Sequence, residues 1–211
     1  MIAWSVEAFR RSSSVSVAVI AAPPGHEEEV EQVVGAAAGD PREPQSIHPI
    51  VVTGGARRSV SVGLALAEVP ARADVVAIHD AARPLVTAAL IDALVARLLE
   101  RPDADGVIAA APIADTIKRA TAADGSGIEI ERTESRDRLW AAQTPQVFRA
   151  QPLRNAHAAD PAATAAATDD AMLIERAGGR VLIEPTPAEN IKVTTEADVR
   201  LAELLLAARC G

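Results

Sequence analysis

Short, largely apolar runs rich in β-branched residues alternate with helix-length segments along this chain, and that alternation restricts the fold more than any other feature. Val15–Ala22 ends in Pro23-Pro24-Gly25, Ile47–Val52 runs into Thr53-Gly54-Gly55, Val75–His79 leads into a loop, and Gly106–Ala111 is closed by Pro112. Each reads as a buried strand stopped by a turn. Between them His26–Ala38, Arg58–Val69 and Thr87–Glu100 read as helices. The first of these carries acidic residues in its opening turn, where the helix dipole favours them. Ile2, Val6 and Phe9 recur at helical spacing before Ser12–Ser14 break the pattern. Strands that are apolar on both faces and separated by helices imply a mostly parallel sheet covered on each side, a three-layer, doubly wound α/β fold.

The regularity fails over residues 113–138. There Ala123-Asp124-Gly125-Ser126-Gly127 reads as a turn between polar, charged flanks, Thr116–Thr121 and Ile128–Thr133. The expectation is a β-hairpin arm projecting from a single domain that spans residues 1–211. An arm this polar has little core of its own, so a partner subunit is expected to cover it. The α/β pattern resumes with a helix over Thr168–Ala177, a strand over Arg180–Ile183 and a short strand over Asn190–Val193. Thr195-Glu196-Ala197-Asp198 resembles a capping box opening a final helix to about Arg209. The Ala-rich stretch Ala156–Ala167 is biased in composition but too short to read as disordered.

Composition narrows the function. Two Trp, two Phe and no Tyr leave a core to be built from Ala, Val, Leu and Ile. A net charge of −8 argues against general nucleic-acid binding, which needs a cationic footprint. One cysteine excludes an internal disulfide and a Cys-based zinc site, and the four His lack ligand spacing. No run approaches the ~18 apolar residues of a membrane span, and Met1–Phe9 is too short for a signal peptide. A cytoplasmic protein is expected. No G-x-G-x-x-G joins a strand to a helix, which argues against a nicotinamide-dependent dehydrogenase.

In open α/β sheets ligands bind beyond the carboxyl ends of strands. Three polar clusters fall there: Gly54-Gly55-Ala56-Arg57-Arg58 with Ser61, His79-Asp80-Ala81-Ala82-Arg83-Pro84, and Asp115-Thr116 with Lys118. A fourth, Asn190-Ile191-Lys192, lies on the late strand. Each has an ordinary reading alone, since diglycine makes turns, Asp caps helices and Lys192 is a solvated charge. Together they point elsewhere. Diglycine before a helix offers free N–H groups to an anion, and Asp80 beside Arg83 offers a carboxylate for a metal and a guanidinium for a phosphate. A carboxylate with scattered cations and no nucleophile–base pair fits phosphoryl or nucleotidyl transfer.

The order and spelling of these clusters resemble the 2-C-methyl-D-erythritol 4-phosphate cytidylyltransferases along essentially the whole chain. The resemblance is carried by Trp4–Phe9, Gly54-Gly55 with Ser61-Val62, the hexapeptide His79–Pro84, and Ala111-Pro112 with Asp115–Lys118. It continues through Arg136 with Leu139-Trp140, Gln143-Thr144-Pro145-Gln146-Val147-Phe148, Thr168-Asp169-Asp170-Ala171 and Asn190–Thr194. It implies a Rossmann-like nucleotidyltransferase that moves a cytidylyl group from CTP to methylerythritol phosphate, releasing pyrophosphate, with Mg²⁺ bridging phosphate oxygens.

By the same resemblance Gly54, Gly55 and Ser61 match positions on the cytosine and ribose side of CTP. Asp80 and Ala81 match positions holding the ribose, the metal and the incoming sugar. Arg83, Thr144 and Lys192 match phosphate-handling positions, Thr168 falls in a substrate-binding block, and Lys192 is placed to offset charge at the transferred phosphorus. Thr116 and Arg136 match arm positions that reach the substrate of the other subunit, which implies a homodimer.

One departure stands out. The family pattern opens with a strand and a Gly-rich loop containing an Arg and then a Pro-Lys pair, ahead of the helix matched by Met1–Phe9, and the first central strand and that loop are missing here. A start codon set too late accounts for this best, since every later block is intact; a shortened or degenerate gene are the alternatives. The 211-residue form is therefore expected to have a gap in its sheet, poor stability and little turnover. Ala56 stands where relatives often carry an acid. Two other readings remain: a pentitol-phosphate cytidylyltransferase acting for example on ribitol 5-phosphate, and an inactive dimerising remnant.

Overall fold

The apolar runs become strands, and the alternation of their side chains decides which helix each strand meets. A computed structural model describes residues 1–39, 47–122 and 127–210. In chain order the elements are α1 (Ile2–Arg11), β1 (Val17–Ala22), α2 (Glu27–Ala37), β2 (His48–Thr53), α3 (Arg58–Glu68), β3 (Val75–Ile78), α4 (Ala88–Leu99) and β4 (Gly106–Pro112). There follow β5 (Lys118–Ala120), β6 (Ile130–Thr133), β7 (Trp140–Arg149), α5 (Ala150–Ala159), α6 (Pro161–Ala166), α7 (Asp170–Arg176), β8 (Val181–Pro185) and α8 (Glu196–Cys210). None of the described helices is long and apolar enough to cross a membrane.

The larger sheet runs β3-β7-β4-β8. Here β4 and β8 are parallel, whereas β7 is antiparallel to both β3 and β4. Successive residues face opposite sides of a strand, so Val76, Ile78, Ile108 and Phe148 join Leu153 and Ile174 in one core, under α5 and α7. Their neighbours Val107, Ala109 and Val147 join Leu94 and Leu98 under α4 on the other face. Two arginines fasten the helices to this sheet. Arg149 donates to the carbonyls of Leu98, Arg101 and Ala104 at the end of α4, and Arg154 donates to those of Leu66, Val69 and Pro70 at the end of α3. Each adds a side-chain donor to carbonyls of the closing turn, most of which already accept a backbone N–H.

The second sheet is the parallel pair β1-β2. Ala18, Ile20 and Val51 pack with Val6 of α1 and Val34 of α2. It is not hydrogen-bonded to the larger sheet. Between β1 and β3 lies a cavity of about 580 Å³ lined by Val17–Ala21 and Val75–Ile78, with α1 and α3 on its sides and Arg58, Asp80 and Ala81 at one end. It explains why Val17–Ile20, apolar throughout, are only partly buried.

One sequence expectation is corrected. Asn190–Val193 is not a strand; it runs as a loop in which Val193 N–H donates to Ala82 O and Asn190 N–H to Pro187 O, with further ties made by side chains. The longest strand, β7, has no counterpart in the sequence reading, and it carries Pro145 and polar neighbours, residue types disfavoured in mid-sheet. The ladder accommodates them with a register shift, Ile108 facing Gln146 and Ala110 facing Ala142. The arm is present as the separate β5-β6 pair, with Lys118 facing Thr133. Residues 123–126 of its expected turn lie outside the described residues. The expected capping box is formed, with Asp198 N–H donating to Thr195 Oγ1 and the Asp198 carboxylate accepting from Thr195 N–H.

Gly106 opens β4 where a Cβ would sit 2.4 Å from Cδ1 of Phe148, a fully buried ring. Gly106→Ala is expected to cost about 1–3 kcal/mol through overpacking. Urea unfolding checks this, and an unchanged midpoint would mean that the ring gives way freely.

Candidate active site

The segment after β3 is held in place by its own backbone and by one hydroxyl from β7. Asp80 N–H donates to Thr144 Oγ1 at 3.0 Å, and the same hydroxyl lies 3.0 Å from His79 Nδ1. On its other side His79 Nε2 lies 3.1 Å from Arg83 O. A carbonyl only accepts, so Nε2 carries the ring proton and Nδ1 accepts the Thr144 hydrogen. His79 is thereby fixed as one neutral tautomer, with its ring 5.4 Å from that of Phe9. Burial is the main reason its pKa is pushed down to about 4.

Asp80 is held between two cations. Lys192 Nζ sits 2.9 Å from its Oδ2, and Arg58 Nε sits 3.0 Å from its Oδ1. Burial would raise this carboxyl, but the Lys192 hydrogen bond and the Arg58 charge outweigh it and hold its pKa below the ordinary carboxylate value. Arg58 extends the array inward, with Nη1 at 2.7 Å from Asp170 Oδ2. Burial lowers its pKa, and the charges of Asp170 and Asp80 more than reverse that. His157 Nε2 in turn lies 2.9 Å from Asp170 Oδ1.

Lys192 owes its place to the loop on which it stands. Asn190 donates from Nδ2 to Gln143 Oε1 at 3.0 Å and to Thr144 O at 2.9 Å, and Thr186 Oγ1 donates to the same Gln143 oxygen. All four side chains are buried, so these hydrogen bonds form where water does not compete. Arg83 locks the loop from beneath, with Nη1 at 2.8 Å from Asn190 O and Nη2 at 3.5 Å from Ala142 O. Arg83 therefore braces the Lys192 segment through backbone carbonyls.

The reading of the diglycine is corrected. Its N–H groups are not free: Gly54 N–H donates to Ala22 O at 2.7 Å and Gly55 N–H to Ser61 Oγ at 3.0 Å. Its purpose is close approach. A Cβ on Gly55 would meet Val60 Cγ1 at 2.3 Å, and one on Gly54 would meet Ala22 O at 2.9 Å. The remaining candidates have other surroundings. Thr116 and Arg136 are exposed on the arm, where Arg136 Nη1 donates to Ala114 O. Lys118 donates to Thr133 across the hairpin, and Thr168 is exposed before α7. Ala81 lines the cavity beside Asp80.

Asp80, Arg83, Thr144 and Lys192 thus come together, as the sequence reading required. Arg58, Asp170, His157, Gln143 and Asn190 complete the site without having been given roles. The available signal was their place in the polar clusters or the matched blocks, His157 excepted; no spacing rule pairs Arg58 with Asp170 across 112 positions. Among the described residues no cluster of three or more His, Cys, Asp or Glu could hold a metal. A lone carboxylate nevertheless fits a hard cation that takes most of its ligands from substrate phosphates and water.

A sequence model described as 2-C-methyl-D-erythritol 4-phosphate cytidylyltransferase matches residues 1–208. Curated relatives bearing that description include one from Streptomyces avermitilis, 39% identical over 99% of this chain and 81% of its own length. Another, from Frankia casuarinae, is 43% identical over 100% of this chain and 71% of its own length. The solved structure of the Thermus thermophilus enzyme of the same description superposes with a TM-score of 0.72 at 30% identity, covering 97% of this chain and 87% of that one.

The depressed pKa of His79 makes a measurable contribution to stability. The ring titrates near 6.5 when unfolded and at about 4 when folded. Between those values the unfolded chain binds a proton that the native state refuses. The contribution is complete above pH 6.5 and is lost as pH falls toward 4. Thermal melts between pH 7 and 5 are expected to fall less steeply for His79→Gln than for the parent chain. Equal slopes would remove the ring from this linkage.

Proposed function

The chain belongs to the 2-C-methyl-D-erythritol 4-phosphate cytidylyltransferase family, and we infer that its chemistry is centred on Asp80 and Lys192. It transfers the cytidylyl group of CTP to 2-C-methyl-D-erythritol 4-phosphate, giving 4-diphosphocytidyl-2-C-methyl-D-erythritol and pyrophosphate. The observation that carries the assignment of the centre is the 2.9 Å contact between Lys192 Nζ and Asp80 Oδ2, made across 112 positions of sequence.

The substrate phosphate is already ionised and needs no base. One of its oxygens attacks the α-phosphorus of CTP in line, forming a new P–O bond, while the bond to the β-phosphate oxygen breaks and pyrophosphate leaves with its electrons. The work left to the protein is positioning and charge compensation. Lys192 is suited to it: its side chain is 45% exposed and bound to a single carboxylate oxygen, so its ammonium is free to pass from Asp80 to phosphate oxygens. The Arg83 and Asn190 contacts hold its segment near β3 meanwhile. Asp80 would hold Mg²⁺ together with the CTP phosphates, and the ion would offset their charge. Gly54, Gly55 and Ser61 shape the wall on which the nucleoside rests, through the tightness of the turn.

The arm supports a homodimer. Ile128 and Ile130 are 68% and 64% exposed, an apolar pair that the polar reading of the arm passed over and that a second subunit would cover. In such a dimer Thr116 and Arg136 are available to the partner's substrate. A cytoplasmic location completes the proposal.

With CTP held constant, whatever pyrophosphate release the chain sustains is expected with 2-C-methyl-D-erythritol 4-phosphate and not with ribitol 5-phosphate. A preference for the latter would reassign the acceptor. Lys192→Met is expected to lower kcat by about 10²–10³, the effect of removing one donor aimed at developing charge. Retained kcat would move the centre away from Lys192. Ile130→Glu is expected to shift the chain toward monomer in sedimentation velocity, and an unaltered distribution would take the dimer contact off the arm.

A further inference from the structure

Asp170 is the only charged side chain among the described residues that is buried, at 1% exposure. A carboxylate in that position must be paired on both oxygens. His157 serves Oδ1 and Arg58 serves Oδ2. Arg58 does more than neutralise it, since Nε reaches out to Asp80 Oδ1 while Nη1 reaches in to Asp170. The guanidinium is planar and its donors have fixed directions. A guanidinium anchored at Nη1 therefore aims Nε, and Nε grips one chosen oxygen of Asp80.

An ion pair serving only to dock α7 would not need this bridge. Gln146 already ties α7 to β7, accepting from Ala171 N–H and donating to Asp169 Oδ2. The two oxygens of Asp80 are correspondingly unequal. Oδ1 faces Arg58, backed by a buried anion, and Oδ2 faces Lys192, which is exposed. We propose that Asp170 is a positioning residue: acting through Arg58, with His157 behind it, it stops the Asp80 carboxylate from turning and keeps Oδ2 presented to Lys192 and the incoming phosphates. This rests on the reading of Asp80 and Lys192 as the reacting centre.

The test has an arm that needs no substrate. The Arg58 Nε–H signal in a ¹⁵N spectrum reports its exchange with water, and Asp170→Asn is expected to speed that exchange by about tenfold, the loss of one anchoring hydrogen bond. In turnover, Asp170→Asn is expected to lower kcat by about tenfold with little change in KM for CTP, and to add no further loss in an Asp80→Asn background. The same proportional loss in both backgrounds would mark a merely structural role and overturn the proposal. So would an Arg58 Nε–H that stays protected in Asp170→Asn. If that variant does not fold, His157→Gln is read in the same way, with smaller effects of the same sign expected and unchanged exchange overturning the proposal. Undiminished pyrophosphate release by Lys192→Met would sink the reading of the centre instead, and the positioning role would then stand or fall on the exchange measurement.

Discussion

Two cations grip the two oxygens of Asp80, and the rest of the site is arranged so that they do so differently. Lys192 and Arg58 approach within 3.0 Å from segments on either side of it in sequence. A half-buried carboxylate facing a single cation would be free to turn and follow it. Here one cation is held fast by a buried anion and the other stands in solvent. The carboxylate thus meets a buried ion pair on its inner side and an exposed ammonium on its outer side.

That arrangement depends on polar side chains packed as tightly as the apolar core. Gln143, Thr144, Thr186 and Asn190 are buried, and their mutual hydrogen bonds replace the ladder that would have made Asn190–Val193 a strand. Thr144 has two duties, receiving Asp80 N–H and giving its own hydrogen to His79. The result ties the end of β3, the bulged middle of β7 and the Lys192 loop into one unit. The cavity between β1 and β3 ends at this unit. Arg58 starts α3 on the cavity's flank and carries the connection across to Asp80.

The legible part of this protein was the part governed by local rules. The apolar runs that became β1 to β4 and the helices between them followed from periodicity, and the Thr195–Asp198 box followed from hydrogen-bonding chemistry within four residues. β7 was hidden because a strand containing Pro145 and polar neighbours is tolerated only where a bulge absorbs them, and the bulge depends on β4. The diglycine misled in a different way. Its residue type correctly signalled close approach, but the groups approaching are Val60 and Ala22 O, and the N–H groups offered to a ligand are taken by the chain itself. Arg83 was legible by type in the same way, and its carbonyl partners at Asn190 and Ala142 were not.

By itself the sequence determined the α/β class, the order of elements and the residue types gathered in the matched blocks, because these depend on periodicity, turn chemistry and spelling along the chain. Only the tertiary structure decided the antiparallel setting of β7 and the unequal grip on Asp80. Those features depend on hydrogen-bond direction and on burial, which arise when distant segments meet. Asp170 shows the difference most plainly. In the sequence it is one acid beside another after Thr168, and in the fold it is the buried charge that aims Arg58.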